Sequence, residues 1–216
     1  MTDIQIWDTL VENQRQNAFF EASSLWDTGN INFTELPRFE DVNIPHWKLL
    51  PIIGKSDESD FWYRLSRGIF NVNMRLRSEE NINYLEERDL FHDFFGHVPF
   101  LYNKDYTNYL IGLGNFYENS TKSDVIKRCL SNLYWFTSEF GLIKEQGKTK
   151  ILGAGILSSV DETTYVLTHP ELHKPFDIWE IVMKKDYVTN GFQDTYYVLK
   201  DISEFRKILK FLWRNL

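Results

Sequence analysis

The run from Asp89 to Pro99, Asp-Leu-Phe-His-Asp-Phe-Phe-Gly-His-Val-Pro, constrains this chain more than any other. It sets His92 and His97 five residues apart in an otherwise apolar stretch. On an α-helix of about 3.6 residues per turn, two such side chains point about 140° apart. Two ligands for one ion therefore require a bend between them. Gly96 offers one, because glycine readily takes the left-handed conformation that ends helices. Pro99 adds to it by disfavouring helix at Val98. This predicts His92 in the last turns of a helix and His97 just past its end, folded back to the same point. Imidazole is the commonest side-chain metal ligand. The same two histidines also read as hydrogen-bonded core residues, and a short motif alone does not separate the two.

A third candidate ligand is Glu139, in Tyr-Trp-Phe-Thr-Ser-Glu-Phe-Gly at 134–141. From Ser123 to Phe140, Val125, Ile126, Cys129, Leu130, Leu133, Tyr134 and Thr137 recur at three- and four-residue steps, which predicts an amphipathic helix. Ser123 or Asp124 would cap its start, and Gly141 would close it. Glu139 falls on the same face as Trp135 and Phe136. A carboxylate facing a core is costly unless it is paired or binds a metal. A solvated helix end, or an ion pair with a buried arginine, would explain it as well. Two histidines and one carboxylate with open positions form the facial triad of non-haem Fe(II) oxygenases.

At this point the chain resembles a known family, the bacterial aromatic amino acid hydroxylases, and among them the phenylalanine 4-hydroxylase type. Four blocks match in order: Tyr84 to Asp89, His92 to Pro99, Tyr134 to Leu142, and Gly153 to Ser159. A weaker fifth is Phe192-Gln193 with Tyr196-Tyr197. The resemblance runs from about Phe39 onward. It implies a mainly α, α+β fold: a single helical basket with small β-strands around a non-haem iron site, spanning 1–216 as one catalytic domain.

Composition agrees. A chain of 216 residues can bury a substantial core in one domain. Its net charge of −7, with both signs interspersed, offers no basic stripe for nucleic acid. Cys129 is the sole cysteine, so no disulfide framework exists. The first residues lack a secretion signal, and no apolar run is long enough for a bilayer. A cytoplasmic protein is expected, with no membrane and no nucleic-acid partner.

Along the chain, an N-terminal helix is predicted from about Ile4 to Ser23. A polar loop follows over Thr28–Asn43, and a strand within Trp47–Ile53. A helix is expected over Phe61–Asn71, extended chain over Val72–Arg77, and a helix over Tyr106–Glu118. A hairpin should turn at 145–148 between Leu142-Ile143 and Ile151-Leu152. Strands are expected at Thr164–Leu167 and Tyr196–Leu199, and helices at Phe176–Met183 and Ser203–Leu216. His169 and His173 flank a proline turn and read as exposed; they and His46 are expected to be dispensable.

The resemblance also assigns roles. Arg77, fifteen positions before His92, stands where the family binds the substrate carboxylate, with Arg75 as a near competitor. A guanidinium suits that task through two parallel hydrogen bonds. Ser158 matches a serine near the amino acid head group, and Gly155 lies in the Gly153–Gly155 stretch that lets backbone approach closely. Trp135 and Phe140 match aromatics of the substrate pocket, and Leu85 would complete an apolar wall. Asp93 stands near the pterin and iron, and Asp89 matches an aspartate suited to orienting a ligand from behind. Gly54, Phe61 and Tyr134 match the cofactor site, where Phe61 would stack on the pterin ring.

Three departures stand out. The cofactor loop reads Gly54-Lys-Ser-Asp-Glu-Ser-Asp-Phe61, far more charged than the family pattern. Arg88 replaces a proline common before the aspartate. The stretch between Phe39 and Trp47 is short, and no tetramerisation tail or regulatory segment is expected, which suggests a monomer. The reading is a tetrahydropterin-dependent Fe(II) monooxygenase acting on an aromatic amino acid with dioxygen. A relative with another ring position, substrate or reductant is the first alternative. A non-catalytic metal- or ligand-binding protein is the second.

Overall fold

The computed structural model describes residues 1–19, 36–38, 42–120, 123–184, 187–188 and 191–215. Its first helix, α1 (Asp3–Gln14), begins at a reciprocal cap. The Thr2 hydroxyl accepts from the Gln5 amide, and the Gln5 side chain accepts from the Thr2 amide. Ile6, Trp7 and Leu10 face the core, and the Trp7 ring meets Phe91 edge-on at 5.4 Å. The helix stops well short of Ser23. Most of the loop expected over 28–43 lies outside the described residues.

Strands β1 (Lys48–Ile52) and β2 (Ile69–Asn73) pair in parallel, with α2 (Glu58–Ser66) as their crossover. The helix expected over Phe61–Asn71 is thus shifted, and the extended segment begins before Val72. Gly68 is the cause. Its φ of +65° turns the chain out of α2, and a Cβ there would lie 2.2 Å from the His46 carbonyl oxygen. The β-branched and aromatic residues that follow then pair as a strand.

Helix α3 (Lys104–Asn119) is capped by Asn103, which accepts from the amides of Asp105 and Tyr106 at 2.9 and 3.2 Å. Its buried face carries Tyr106, Tyr109, Leu110, Leu113 and Tyr117, the spacing of one helical stripe. Helix α4 (Asp124–Tyr134) follows. Strands β3 (Leu142–Glu145) and β4 (Lys148–Ile151) form the expected hairpin, with Gln146 and Gly147 both at positive φ as a two-residue type I′ turn requires.

After a short turn of helix, α5 (Ala154–Leu157), the segment expected as a strand at Thr164–Leu167 lies inside α6 (Val160–Thr168). Its threonines bond within the helix: Thr164 Oγ1 donates to the Val160 carbonyl and Thr168 Oγ1 to that of Thr164. The Ser159 hydroxyl caps the start. Strand β5 (His173–Pro175), helix α7 (Ile178–Met183), strand β6 (Tyr196–Leu199) and helix α8 (Glu204–Asn215) complete the chain. The second sheet runs β4-β3-β6-β5, with β6 parallel to both neighbours.

His169 and His173 are half-buried rather than exposed. Their rings bond the carbonyls of Tyr165 and Val166, each at 2.8 Å. Among the described residues no helix is long and apolar enough to cross a membrane. The mainly α, α+β class holds, and the helices surround one aromatic core in which Phe91, Phe94, Phe95, Phe136 and Tyr197 are fully buried.

Candidate active site

The bend between the two histidines is not a helix end. Phe91–His97 is one widened helical turn of π type, closed by the Val98 amide on the Asp93 carbonyl. Hydrogen bonding from i to i+5 places residues five apart on one side, and the rings of His92 and His97 lie 5.1 Å apart. Gly96 does not take the left-handed conformation expected of it. It admits a neighbour instead: a Cβ there would lie 2.7 Å from the Ala154 Cβ. Glu139 ends a second π turn, Trp135–Glu139, closed by the Phe140 amide on the Trp135 carbonyl at 2.9 Å. The long helix expected to Phe140 therefore changes pitch in its last turn.

The two π turns bring three buried side chains together. Glu139 Oε2 lies 3.3 Å from His92 Nε2, and Oε1 lies 3.3 Å from His97 Nε2. Burial pushes the Glu139 carboxyl up, yet the His97 and His92 imidazoles outweigh it and hold it well below the usual carboxylate range. Burial lowers the affinity of His97 for a proton. His92 Nε2 and both ring nitrogens of His97 are buried without a hydrogen-bond partner, as is Asp93 Oδ1. Ligand atoms of His92, Asp93 and His97 fall within 4.8 Å of one another. Unpartnered imidazole nitrogens facing carboxylates fit a divalent cation. Two carboxylates contend for it. Glu139 spans both histidines, whereas Asp93 Oδ2 already accepts from the Asn73 amide at 2.7 Å and Oδ1 stands 4.0 Å from His92 Nε2.

Ser158 ties this centre to a buried ion pair. Its Oγ meets His92 Nδ1 at 3.1 Å, and its carbonyl accepts from Arg77 Nη1 at 2.6 Å. Arg77 is paired face-on with Asp89, through Nε to Oδ2 and Nη2 to Oδ1, both at 2.8 Å. Asp89 also accepts from the amides of Arg77 and His92. Its carboxyl would rise on burial, but the Arg77 guanidinium and these amides hold it below its ordinary value. Asp89 thus orients Arg77 and the His92 backbone rather than a ligand ring. Arg75 is exposed, so the two arginines are separated cleanly.

The centre opens on a cavity of about 470 Å³. Its wall includes His92, Glu139, Trp135, Phe140, Leu85 and Gly155. Ser158 lines it too, and at that point the wall is Ser158 rather than Arg77. Trp135 stacks on Tyr187 at 4.1 Å. On the other side stand Phe61 and Tyr134, edge to face at 5.2 Å. The Arg88 guanidinium lies 5.8 Å from the Phe61 ring centre and 4.0 Å from Asp93. Gly54 is exposed at φ +80° and is not on the wall; Lys55 and Ser56 are. Of the loop charges, Lys55, Asp57, Glu58 and Asp60 are all exposed, and Lys55 and Glu58 also border the cavity.

Among the wall residues that had no place in the sequence reading, one is a buried acid. Glu162 is buried at 2% exposure, and its Oε1 accepts from the Tyr196 hydroxyl at 2.7 Å and the Gln193 amide at 3.4 Å. Its position three residues after the capping Ser159 gives it the spacing of a helix cap, which conceals it.

Fold and site together define a helical metalloprotein whose two-imidazole, carboxylate face opens on an aromatic cavity. A family profile described as biopterin-dependent aromatic amino acid hydroxylase matches residues 9–216, and the chain belongs to that family. It is 32% identical to the phenylalanine-4-hydroxylase of Vibrio cholerae over 97% of this chain and 76% of that protein. The corresponding enzyme of Pseudomonas aeruginosa is 31% identical over 93% of this chain and 79% of its own length. A crystal structure of phenylalanine hydroxylase from Chromobacterium violaceum, with bound iron(III) and oxidised 7,8-dihydrobiopterin, superposes with a TM-score of 0.86. It is 31% identical and matches 98% of this chain and 80% of its own.

Proposed function

We propose that this chain is a pterin-dependent non-haem iron monooxygenase that hydroxylates the ring of phenylalanine to give tyrosine. The carrying observation is the set of unpartnered buried imidazole nitrogens against Glu139 at the floor of an aromatic cavity. His92, His97 and Glu139 would hold Fe(II) on one face, leaving positions open. Bound there, iron supplies with dioxygen and the reduced pterin the oxidising chemistry of ring hydroxylation.

The chain's own residues do the rest. Trp135, Phe140 and Leu85 enclose the ring of the amino acid in an apolar pocket and exclude water. Arg77 would receive its carboxylate. Of five guanidinium N–H groups, three make short bonds to Asp89 and Ser158, so an Nη2 hydrogen remains for a ligand. Asp89 fixes the plane of that guanidinium, and Ser158 links it to His92. Phe61 and Tyr134 would flank the pterin ring, with Asp93 beside it.

Turnover of phenylalanine, tyrosine and tryptophan by iron-loaded protein with reduced pterin tests the whole reading. Phenylalanine consumption with matching tyrosine is the expected result. His92→Ala should abolish iron binding; unchanged iron stoichiometry would remove the metal assignment. Phe61→Ala should weaken calorimetric pterin binding by about 1 kcal/mol. Absence of pterin binding to the unaltered protein would remove the cofactor while leaving the metal centre in place.

A further inference from the structure

A free amino acid brings two charges into this cavity, and the site as described accounts for one. Under the function proposed above, the carboxylate goes to Arg77. The α-ammonium also needs a partner, because a charge drawn out of water without one is costly. Four acids line the cavity: Glu58, Glu86, Glu139 and Glu162. Glu58 and Glu86 are exposed, and Glu139 is committed to the two histidines. Glu162 is the one that is buried and uncommitted. Among the described residues, no lysine, arginine or histidine pairs with it; its contacts are the Tyr196 hydroxyl and the Gln193 amide.

Its position suits the task. Ser158 accepts from Arg77 through its carbonyl, and the next residue, Ser159, holds the Glu162 amide at 3.0 Å through its hydroxyl. One serine corner therefore joins a guanidinium to a carboxyl on the wall of the same cavity. We infer that Glu162 receives the α-ammonium of the substrate and so selects amino acids over ring compounds that carry a carboxylate alone. This rests on the amino acid hydroxylase reading above. Burial without a cation raises the Glu162 carboxyl to about 7, and an arriving ammonium supplies the missing counter-charge.

The test compares L-phenylalanine with 3-phenylpropanoate, which lacks only the amino group. Dissociation constants are measured by calorimetry on iron-loaded wild type and on Glu162→Gln, with iron content checked in each. Wild type should prefer phenylalanine, and the preference should fall roughly 10- to 100-fold in Glu162→Gln. A purely structural carboxyl would weaken both compounds alike; an unchanged ratio overturns the inference. Should Glu162→Gln fail to fold, Glu162→Asp reads the same ratio, which must fall to an intermediate value as the carboxylate is drawn back. An unchanged ratio there overturns the inference too. If wild type binds neither compound, the amino acid reading itself fails, and this one with it.

Discussion

At Asp89 four donors meet on one buried carboxylate: Arg77 N, Nε and Nη2, and the His92 amide. Removing it strands a buried guanidinium. Asp89→Ala should cost about 3–5 kcal/mol in urea unfolding at neutral pH. Because its folded pKa is lowered, this contribution is complete above its unfolded value near about 3.9 and is lost as pH falls through the folded one. The gap between wild type and Asp89→Asn should therefore close in acid. Glu162 behaves oppositely. Its raised carboxyl binds a proton more tightly in the folded chain, so it removes stability as pH rises from about 4.3 to about 7. Stability profiles of wild type and Glu162→Gln should show that extra loss in wild type alone. The meeting of His92, His97 and Glu139 could be anticipated from their residue types and unusual neighbours, whereas Arg77 came from the matched blocks alone. Glu162 was not legible, because its partners Gln193 and Tyr196 are more than thirty positions away.

Elements were read well wherever periodicity was uninterrupted, as in α3, α4 and the β3–β4 hairpin. Two kinds of place defeated the pattern. In α6 the β-branched residues favoured a strand locally, while Ser159 and the threonine hydroxyls satisfied a helix. At the metal centre the pitch itself changes, and a spacing rule built on one pitch cannot register it; the expected helix end at Gly96 was the nearest regular explanation. What Gly96 supplies is room. Gly96→Ala would set a Cβ 2.9 Å from the Ala154 Cα, which cannot swing away as a side-chain tip could. It should destabilise by about 1–3 kcal/mol and lower iron affinity as well. Melting curves with and without iron separate the two effects; an unperturbed iron affinity would show that the turn tolerates the shift.

For the molecule as a whole, the metal couples parts that are far apart in the chain. Trp7 on α1 supports Phe91 beside His92, and Glu139 arrives from a helix more than forty residues later. A cation held only by the folded state stabilises it by about 2.7 kcal/mol when free metal is 100-fold above the dissociation constant. At about 2–4 °C per kcal/mol for a chain of this size, chelation should lower the midpoint by roughly 5–10 °C. Iron restores it, and His97→Ala should show no such difference. The overall class was legible from the spacing of apolar residues along the chain and from the matched blocks. For the loop charges the sequence left two orientations open, outward beside a bound pterin or inward, since hydropathy does not say which way a charged rim turns.

The two π turns have a consequence for insertions and deletions. Deleting one residue between His92 and His97 would restore an ordinary α turn with the pair four apart, still facing one way. Residues beyond would keep nearly the same phase, because the widened turn had absorbed the extra residue locally. The added residue in each turn is thus held within that turn rather than passed along the helix. Buried at every position from Phe91 to His97, this stretch should accept neither a second inserted residue nor most replacements of side chain.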